Sequence, residues 1–214
     1  MSETPEIAFL EKRGVGLFLD VGANVGQTGR MLRRKGYGGR IVSFEPIADC
    51  FAKLQAMAEP DPLWEVHHTA IGAETGTAEI GVSQNYVSSS IREATDELIA
   101  IHEPIRYTRH ERIAVARLDR LFDRIVPANE QAHLKIDTQG FERDVILGAE
   151  RCLPRIGSVR MEVAVSEVYR GEMLVPEAIV MMRELNYVLI EAWPAWRHPD
   201  TGEVLHFDLL FRRL

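Results

Sequence analysis

Residues 17–46 read LFLDVGANVGQTGRMLRRKGYGGRIVSFEP, and this stretch decides the fold. The apolar run at 17–22 reads as a buried strand, "GANVG" (22–26) as a glycine turn, 27–35 as a helix with basic residues, and 40–46 as a second strand. Two apolar runs that each end on an acid, joined by a glycine turn and a helix, make the first βαβ unit of a nucleotide-binding parallel sheet.

The glycines narrow the choice of nucleotide. A dinucleotide fold needs Gly-x-Gly-x-x-Gly so that backbone amides reach a pyrophosphate. Here the spacing is Gly22-x-x-x-Gly26-x-x-Gly29, with Ala23 and Asn24 inside the turn, so the middle glycine is missing. A carboxylate at Asp20 repels a pyrophosphate but suits a ligand carrying an ammonium and a sulfonium, as S-adenosylmethionine does. Glu45, ending the second strand, is positioned to accept two hydrogen bonds from a ribose diol.

Composition bounds the rest. The chain has 214 residues, 46% of them hydrophobic, enough for one α/β domain over 1–214 and too few for a second full one. A net charge of −7 without a long run of either sign argues against a nucleic-acid or anionic-membrane surface. The cluster Arg30, Arg33, Arg34 and Lys35 reads as a solvated helix face. Cys50 and Cys152 lack any CxxC or Cys/His ligand spacing and read as reduced, buried side chains. With no signal-peptide pattern at the N-terminus and no apolar stretch of membrane-spanning length, a cytoplasmic location is expected. No motif specifies an oligomeric state.

Along the chain, 5–13 reads as a short helix, and a helix starting at Pro46 places Ile47, Phe51, Leu54 and Ala58 on one face. Residues 63–72 read as the third strand, whose Ala70 and Ile71 end either walls an adenine ring or simply leaves the core. Residues 77–83 read as an edge or hairpin strand, and 112–122 as a strand running into a turn or short helix at Asp119. Between them, 84–111 is the least regular segment, a candidate lid over the substrate.

The second informative stretch is AHLKIDTQGFERDVILGAERCL (132–153). "HLKID" is the fourth strand, Thr138, Gln139 and Gly140 form a turn, and a helix follows from about Glu142. In a sheet ordered 3-2-1-4-5, Asp137 lies beside Asp20 at the carboxyl edge, where such sheets bind ligands. Residues 158–166 form the fifth strand, with Glu162 serving either function or a structural salt bridge. A helix over 176–186 and two strands at 187–193 and 205–214 end the chain. Trp193 and Trp196 wall a ring-shaped acceptor or fill the edge of the core.

With "FLDVGANVGQTG" (18–29), "VSFEP" (42–46), "HTAIGAETGTAEI" (68–80) and "LKIDTQGFERDVILGA" (134–149), the chain resembles the FkbM family of S-adenosylmethionine-dependent methyltransferases. The resemblance implies a class I methyltransferase (Rossmann-like) α/β fold. This is a three-layer sandwich around a mostly parallel seven-stranded sheet with an antiparallel C-terminal strand. It also implies methyl transfer to a hydroxyl of a small molecule: a sugar, glycan or secondary metabolite. The family pattern resembles Asp-x-Glu-Gly-x-Glu; Asp137, Gly140 and Glu142 keep it, but Gln139 stands in place of the acid. No ligand pattern in the sequence supports a divalent metal.

Residues expected around the cofactor are Asp20, Gly22, Ala23, Asn24, Gly26, Glu45, Pro46, Ala70, Ile71, Ser89 and Asp137. An alcohol acceptor needs a base, for which the candidates are Asp137, Glu142, Glu162 and His68. Asp137 alternatively bonds the turn amides, Glu142 alternatively caps its helix, and His68 alternatively is an ordinary strand histidine. The competing functions are an NAD-dependent oxidoreductase and a non-catalytic cofactor-binding homologue.

Overall fold

Strand alternation builds the sheet. A computed structural model describes residues 5–128 and 130–214, so the reading of the N-terminus as leaderless falls partly outside the described residues. In chain order the elements are α1 (Pro5–Arg13), β1 (Leu17–Val21), α2 (Gln27–Arg34), β2 (Arg40–Phe44), α3 (Ala48–Ala58), β3 (Trp64–His67), β4 (Ala70–Ile71) and β5 (Gly76–Ser83). They continue with α4 (Asp96–Ile101), β6 (Tyr107–Ala116), α5 (Leu118–Ile125), β7 (Ala132–Ile136), α6 (Glu142–Ala149), β8 (Ile156–Ala164), α7 (Val175–Glu184), β9 (Tyr187–Arg197) and β10 (Val204–Arg213).

Seven strands pair in the order β3-β2-β1-β7-β8-β10-β9, with β10 antiparallel to both neighbours. The expected parallel core and antiparallel C-terminal insertion are both present. On one face Leu19, Leu134, Ile136 and Met161 pack against Phe122 of α5, Val145 of α6 and Met182 of α7. On the other face Phe18, Ile41 and Trp64 meet Leu10 of α1, Leu32 of α2 and Leu54 of α3.

Because side chains alternate along a strand, the residues between the apolar ones share the second face. In the middle strands these are Asp20, His133, Lys135, Ser158 and Arg160. Glu6 of α1 is fully buried over them, 3.0 Å from His133 Nε2 and 2.6 Å from Arg160 Nη1. Burial pushes the Glu6 carboxyl upward, but Arg160 and His133 prevail and hold it below its ordinary value.

Three local expectations are corrected. The strand anticipated over 63–72 breaks at His68 and Thr69: β3 stays in the large sheet, while β4 joins β5 and β6 in a separate three-stranded sheet. The His68 ring stacks on Phe51 with centroids 4.5 Å apart, and Thr69 N donates to the His67 carbonyl, which turns the chain out of the sheet. The segment at 84–111 is more regular than expected. It holds α4, capped by the Thr95 hydroxyl, a 3-10 turn at Glu103–Ile105, and half of β6. Finally, β9 runs through Pro194 to Arg197, tolerated because β9 lies at the edge of the sheet.

Gly148 lets α6 approach the chain after β4: a Cβ there would lie 2.1 Å from the Gly72 carbonyl oxygen. Gly148→Ala is expected to destabilise the fold by about 1–3 kcal/mol through overpacking. Leu147→Ala, at an exposed neighbouring position, is expected to change stability by less than about 1 kcal/mol. Denaturant melts of both variants check this.

Candidate cofactor cleft and its neighbouring cavity

The carboxyl ends of β1, β2 and β7 frame a cleft of about 740 Å³ counted with its open mouth, at the strand ends where sheets of this kind bind ligands. The turn after β1 bends through left-handed residues, with φ of 77° at Gly22, 49° at Asn24 and 87° at Gly26. Gly22 is obligatory for a second reason, since a Cβ there would stand 1.8 Å from the Asp137 carbonyl oxygen.

Glu45 closes the turn from β2. Its Oε2 accepts from the Asn24 amide and its Oε1 from the Ile47 amide, each at 2.8 Å. Burial pushes this carboxyl up to about 7, although the two amides favour its ionised form. Each oxygen has a further lone pair for a ligand. Ala70 and Ile71 of β4 form part of the apolar wall, with Ile80 and Phe141.

Nine of the eleven expected cofactor residues line this cleft: Gly22, Ala23, Asn24, Glu45, Pro46, Ala70, Ile71, Ser89 and Asp137. Gly26 does not; it precedes α2 and packs near Leu54 and Trp64. Asp20 does not line it either. It is fully buried beneath the cleft, and what offsets its charge is Lys135 Nζ at 3.0 Å from Oδ1. Neither Asp20 oxygen otherwise meets a donor among the described residues.

Lys135, 2% exposed, was not anticipated from the sequence. Its ammonium donates to the Gly22 carbonyl at 3.1 Å and lies 3.4 Å from Asp137 Oδ2. Burial opposes its charge, but Asp20 and Asp137 raise its pKa above the ordinary lysine value. Its one available signal was a lysine inside an apolar central strand, which is costly unless paired.

The expected bases separate in space. Asp137 stands at the cleft, where burial alone would raise its pKa; Lys135, the Gln139 amide and Arg160 hold it below the ordinary value. Gln139, at φ 54°, donates from Nε2 to Asp137 Oδ1 at 2.9 Å and accepts from the Tyr169 hydroxyl at 3.0 Å. An acid at 139 would face Asp137 without a donor, so the departure from the family pattern has a structural use.

Glu142 lines neither space. Its Oε1 accepts from Thr138 N, Thr138 Oγ1 and Gly140 N, which makes it a clasp for the turn rather than a base. His68 is also outside, with Nε2 3.0 Å from the Pro46 carbonyl oxygen. Glu162 lines a second cavity that shares Val87, Asp137 and Gln139 with the cleft. There it meets His206, another residue not anticipated, at 2.8 Å. Trp196 also lines that cavity. Among the described residues no three His, Cys, Asp or Glu side chains converge as a metal-ligand set.

Sheet order, helix layers and the position of the cleft define a class I methyltransferase fold. Of solved structures sharing it, TehB from Haemophilus influenzae has a TM-score of 0.55 at 9% identity, covering 100% of this chain and 63% of that one. This chain thus spans less than two thirds of TehB. An rRNA methylase from Streptococcus thermophilus scores 0.52 at 9% identity, covering 100% and 99%. The methyltransferase domain of bacterial CtHen1-C scores 0.53 at 8% identity, covering 97% and 94%. Such identities show the fold alone. No curated protein is significantly similar in sequence. The family model described as the methyltransferase FkbM domain matches residues 20–189, and the chain belongs to that family of S-adenosylmethionine-dependent methyltransferases.

Removing the ammonium strands a buried carboxylate, so Lys135→Met is expected to cost about 3–5 kcal/mol. Adding Asp20→Asn to it is expected to recover part of that loss in a double-mutant cycle. Urea melts of the four proteins measure both.

A second expectation concerns pH. Burial pushes Glu142 up to about 7 from an ordinary 4.5. Between these values the folded chain holds a proton that the unfolded chain has released, so this group's contribution to stability falls as pH rises. Glu142→Gln keeps an acceptor for the turn, and its melting temperature relative to the native chain is expected to be higher at pH 8 than at pH 5.

Proposed function

We propose that this protein transfers the methyl group of S-adenosylmethionine to a hydroxyl of a small molecule such as a sugar, glycan or secondary metabolite. The observation that carries the reading is Glu45: a carboxylate held by two backbone amides at the tip of β2, lining the cleft beside a turn that lacks the dinucleotide glycine. That arrangement suits the two hydroxyls of a ribose and rejects a 2′-phosphate. Ala70 and Ile71 offer an adenine an apolar wall, and Asp137 is the acid of the cleft wall that suits a ligand ammonium. Asp20 then acts through Lys135, fixing the turn and Asp137, rather than by direct contact.

The bound cofactor supplies a methyl carbon already activated by its sulfonium. The chain's tasks are to align the acceptor, exclude water and take the hydroxyl proton. We assign these tasks to a single domain over 1–214, with 84–111 as the segment over the substrate: it contributes Tyr86, Val87 and Ser89 to the cleft and Asn85, Leu98 and His102 to the second cavity. The net charge of −7 disfavours a polyanionic acceptor such as RNA. Two free cysteines fit a reducing compartment such as the cytoplasm, and no helix among the described residues is long and apolar enough to cross a membrane.

Thermal shifts with S-adenosylhomocysteine and with NAD test the cofactor. A ligand at 100 times its Kd stabilises the folded state by about 2.7 kcal/mol. The homocysteine analogue is expected to raise the melting temperature and NAD is not; the reverse order defeats the proposal. Glu45→Gln is expected to weaken the analogue by about tenfold, the scale of one charged hydrogen bond.

A further inference from the structure

The second cavity adjoins the cofactor cleft through Asp137 and Gln139, which line both spaces. Glu162, His206, Trp196 and His102 are among its other walls. His206 is 5% exposed, and its Nδ1 lies 2.8 Å from Glu162 Oε1. A carboxylate on Nδ1 fixes the tautomer that carries its proton there and leaves Nε2 as a lone-pair acceptor.

Strand alternation presents this ring: β10 pairs with β8 without a break from His206 to Arg212, with Asp208 opposite Glu162, so His206, two residues from Asp208, lies on the Glu162 face. On the other side of β10 the pairing with β9 shifts register both before and after His206, an irregularity of the kind found beside active sites. The ring sits 5.9 Å from that of Trp196, which also stands 6.4 Å from His102.

Resting on the reading of the adjoining cleft as the methyl-donor site, the geometry points to this cavity as the site of an uncharged, ring-bearing hydroxyl acceptor whose proton His206 Nε2 removes. The acceptor's hydroxyl proton passes to Nε2 as the oxygen lone pair forms the new bond to the methyl carbon. The carbon–sulfur bond breaks with its electron pair left on sulfur, and the imidazolium later returns its proton to solvent. Glu162 is the positioning residue that orients the ring and offsets its charge. Asp137 is the poorer base, since Gln139 engages one oxygen and Lys135 faces the other. The carboxylates of Asp137 and Glu162 repel an anionic acceptor, while the indole of Trp196 suits the flat face of a sugar or phenol. Burial opposes charge on His206, but Glu162 on β8, Glu172 ahead of α7 and Glu142 on α6 raise its pKa above the ordinary histidine value. The base form therefore gains population as pH rises through that value.

4-Nitrophenol, whose absorbance reports its ionisation, tests the assignment on the complex with S-adenosylhomocysteine. The native complex is expected to bind it and to hold a phenolate-to-phenol ratio about tenfold above that of free solution at the same pH. His206→Gln and His206→Asn are expected to abolish that excess with unchanged affinity for S-adenosylhomocysteine, and Glu162→Gln to reduce it. Equal phenolate in native and His206 variants, or no binding of the phenol to the loaded complex, overturns the assignment. Failure of S-adenosylhomocysteine itself to bind brings down the cofactor reading instead, and this inference with it. Ring 15N shifts of His206 in the native chain need no variant: a neutral ring protonated on Nδ1 supports the assignment, and one protonated on Nε2 overturns it.

Discussion

A single ammonium, that of Lys135, is the constraint around which the site is built. It lies buried between Asp20 under the cleft and Asp137 at its edge, and it also holds the Gly22 carbonyl. Three things would come apart without it: the strand end of β1, the glycine turn, and the carboxylate shared by the two cavities. A buried pair of this kind contributes little net stability against an apolar replacement, but losing one partner leaves an uncompensated charge. The cost of desolvating these groups therefore goes into fixed geometry at the cleft.

The same alternation that buries Lys135 divides the sheet into two chemistries. Leu134, Ile136, Val159 and Met161 face α5, α6 and α7 as an apolar layer, while His133, Lys135, Ser158 and Arg160 face the other way; His133, with Ser158, and Arg160 link to Glu6, Arg160 also to Asp208, and Lys135 to Asp20 and Asp137. Polar groups on that face are tied to one another in chains, so α1 is anchored by charge as well as by Leu10. Towards the carboxyl edge the chain of polar groups continues through Asp137, Gln139 and Tyr169, and separately through Glu162 and His206. The cleft and the second cavity meet where these lines of hydrogen bonds converge.

What the sequence alone determined about this protein was local or periodic. The βαβ unit at 17–46, the turn residues Gly22 to Asn24, Glu45 at the tip of β2 and Asp137 at the tip of β7 follow from apolar runs, glycine and acids at their ends, and all but the unit as a whole are lining residues of the cleft. The tertiary structure alone decided which polar groups meet. Asp20 reads as a ligand contact in one dimension, yet the strand beside it delivers a lysine, which lines the cleft while Asp20 pairs with it from the dry interior. Glu142 reads as a base, yet the turn ahead of it takes its oxygen. His206 carries no signal in "VLHFDLLF", because its partner Glu162 lies 44 residues away and meets it only through the antiparallel register of β10 on β8. Periodicity is a property of neighbours along the chain, whereas the pairing of buried charges is set by register between strands, which no single stretch of sequence contains.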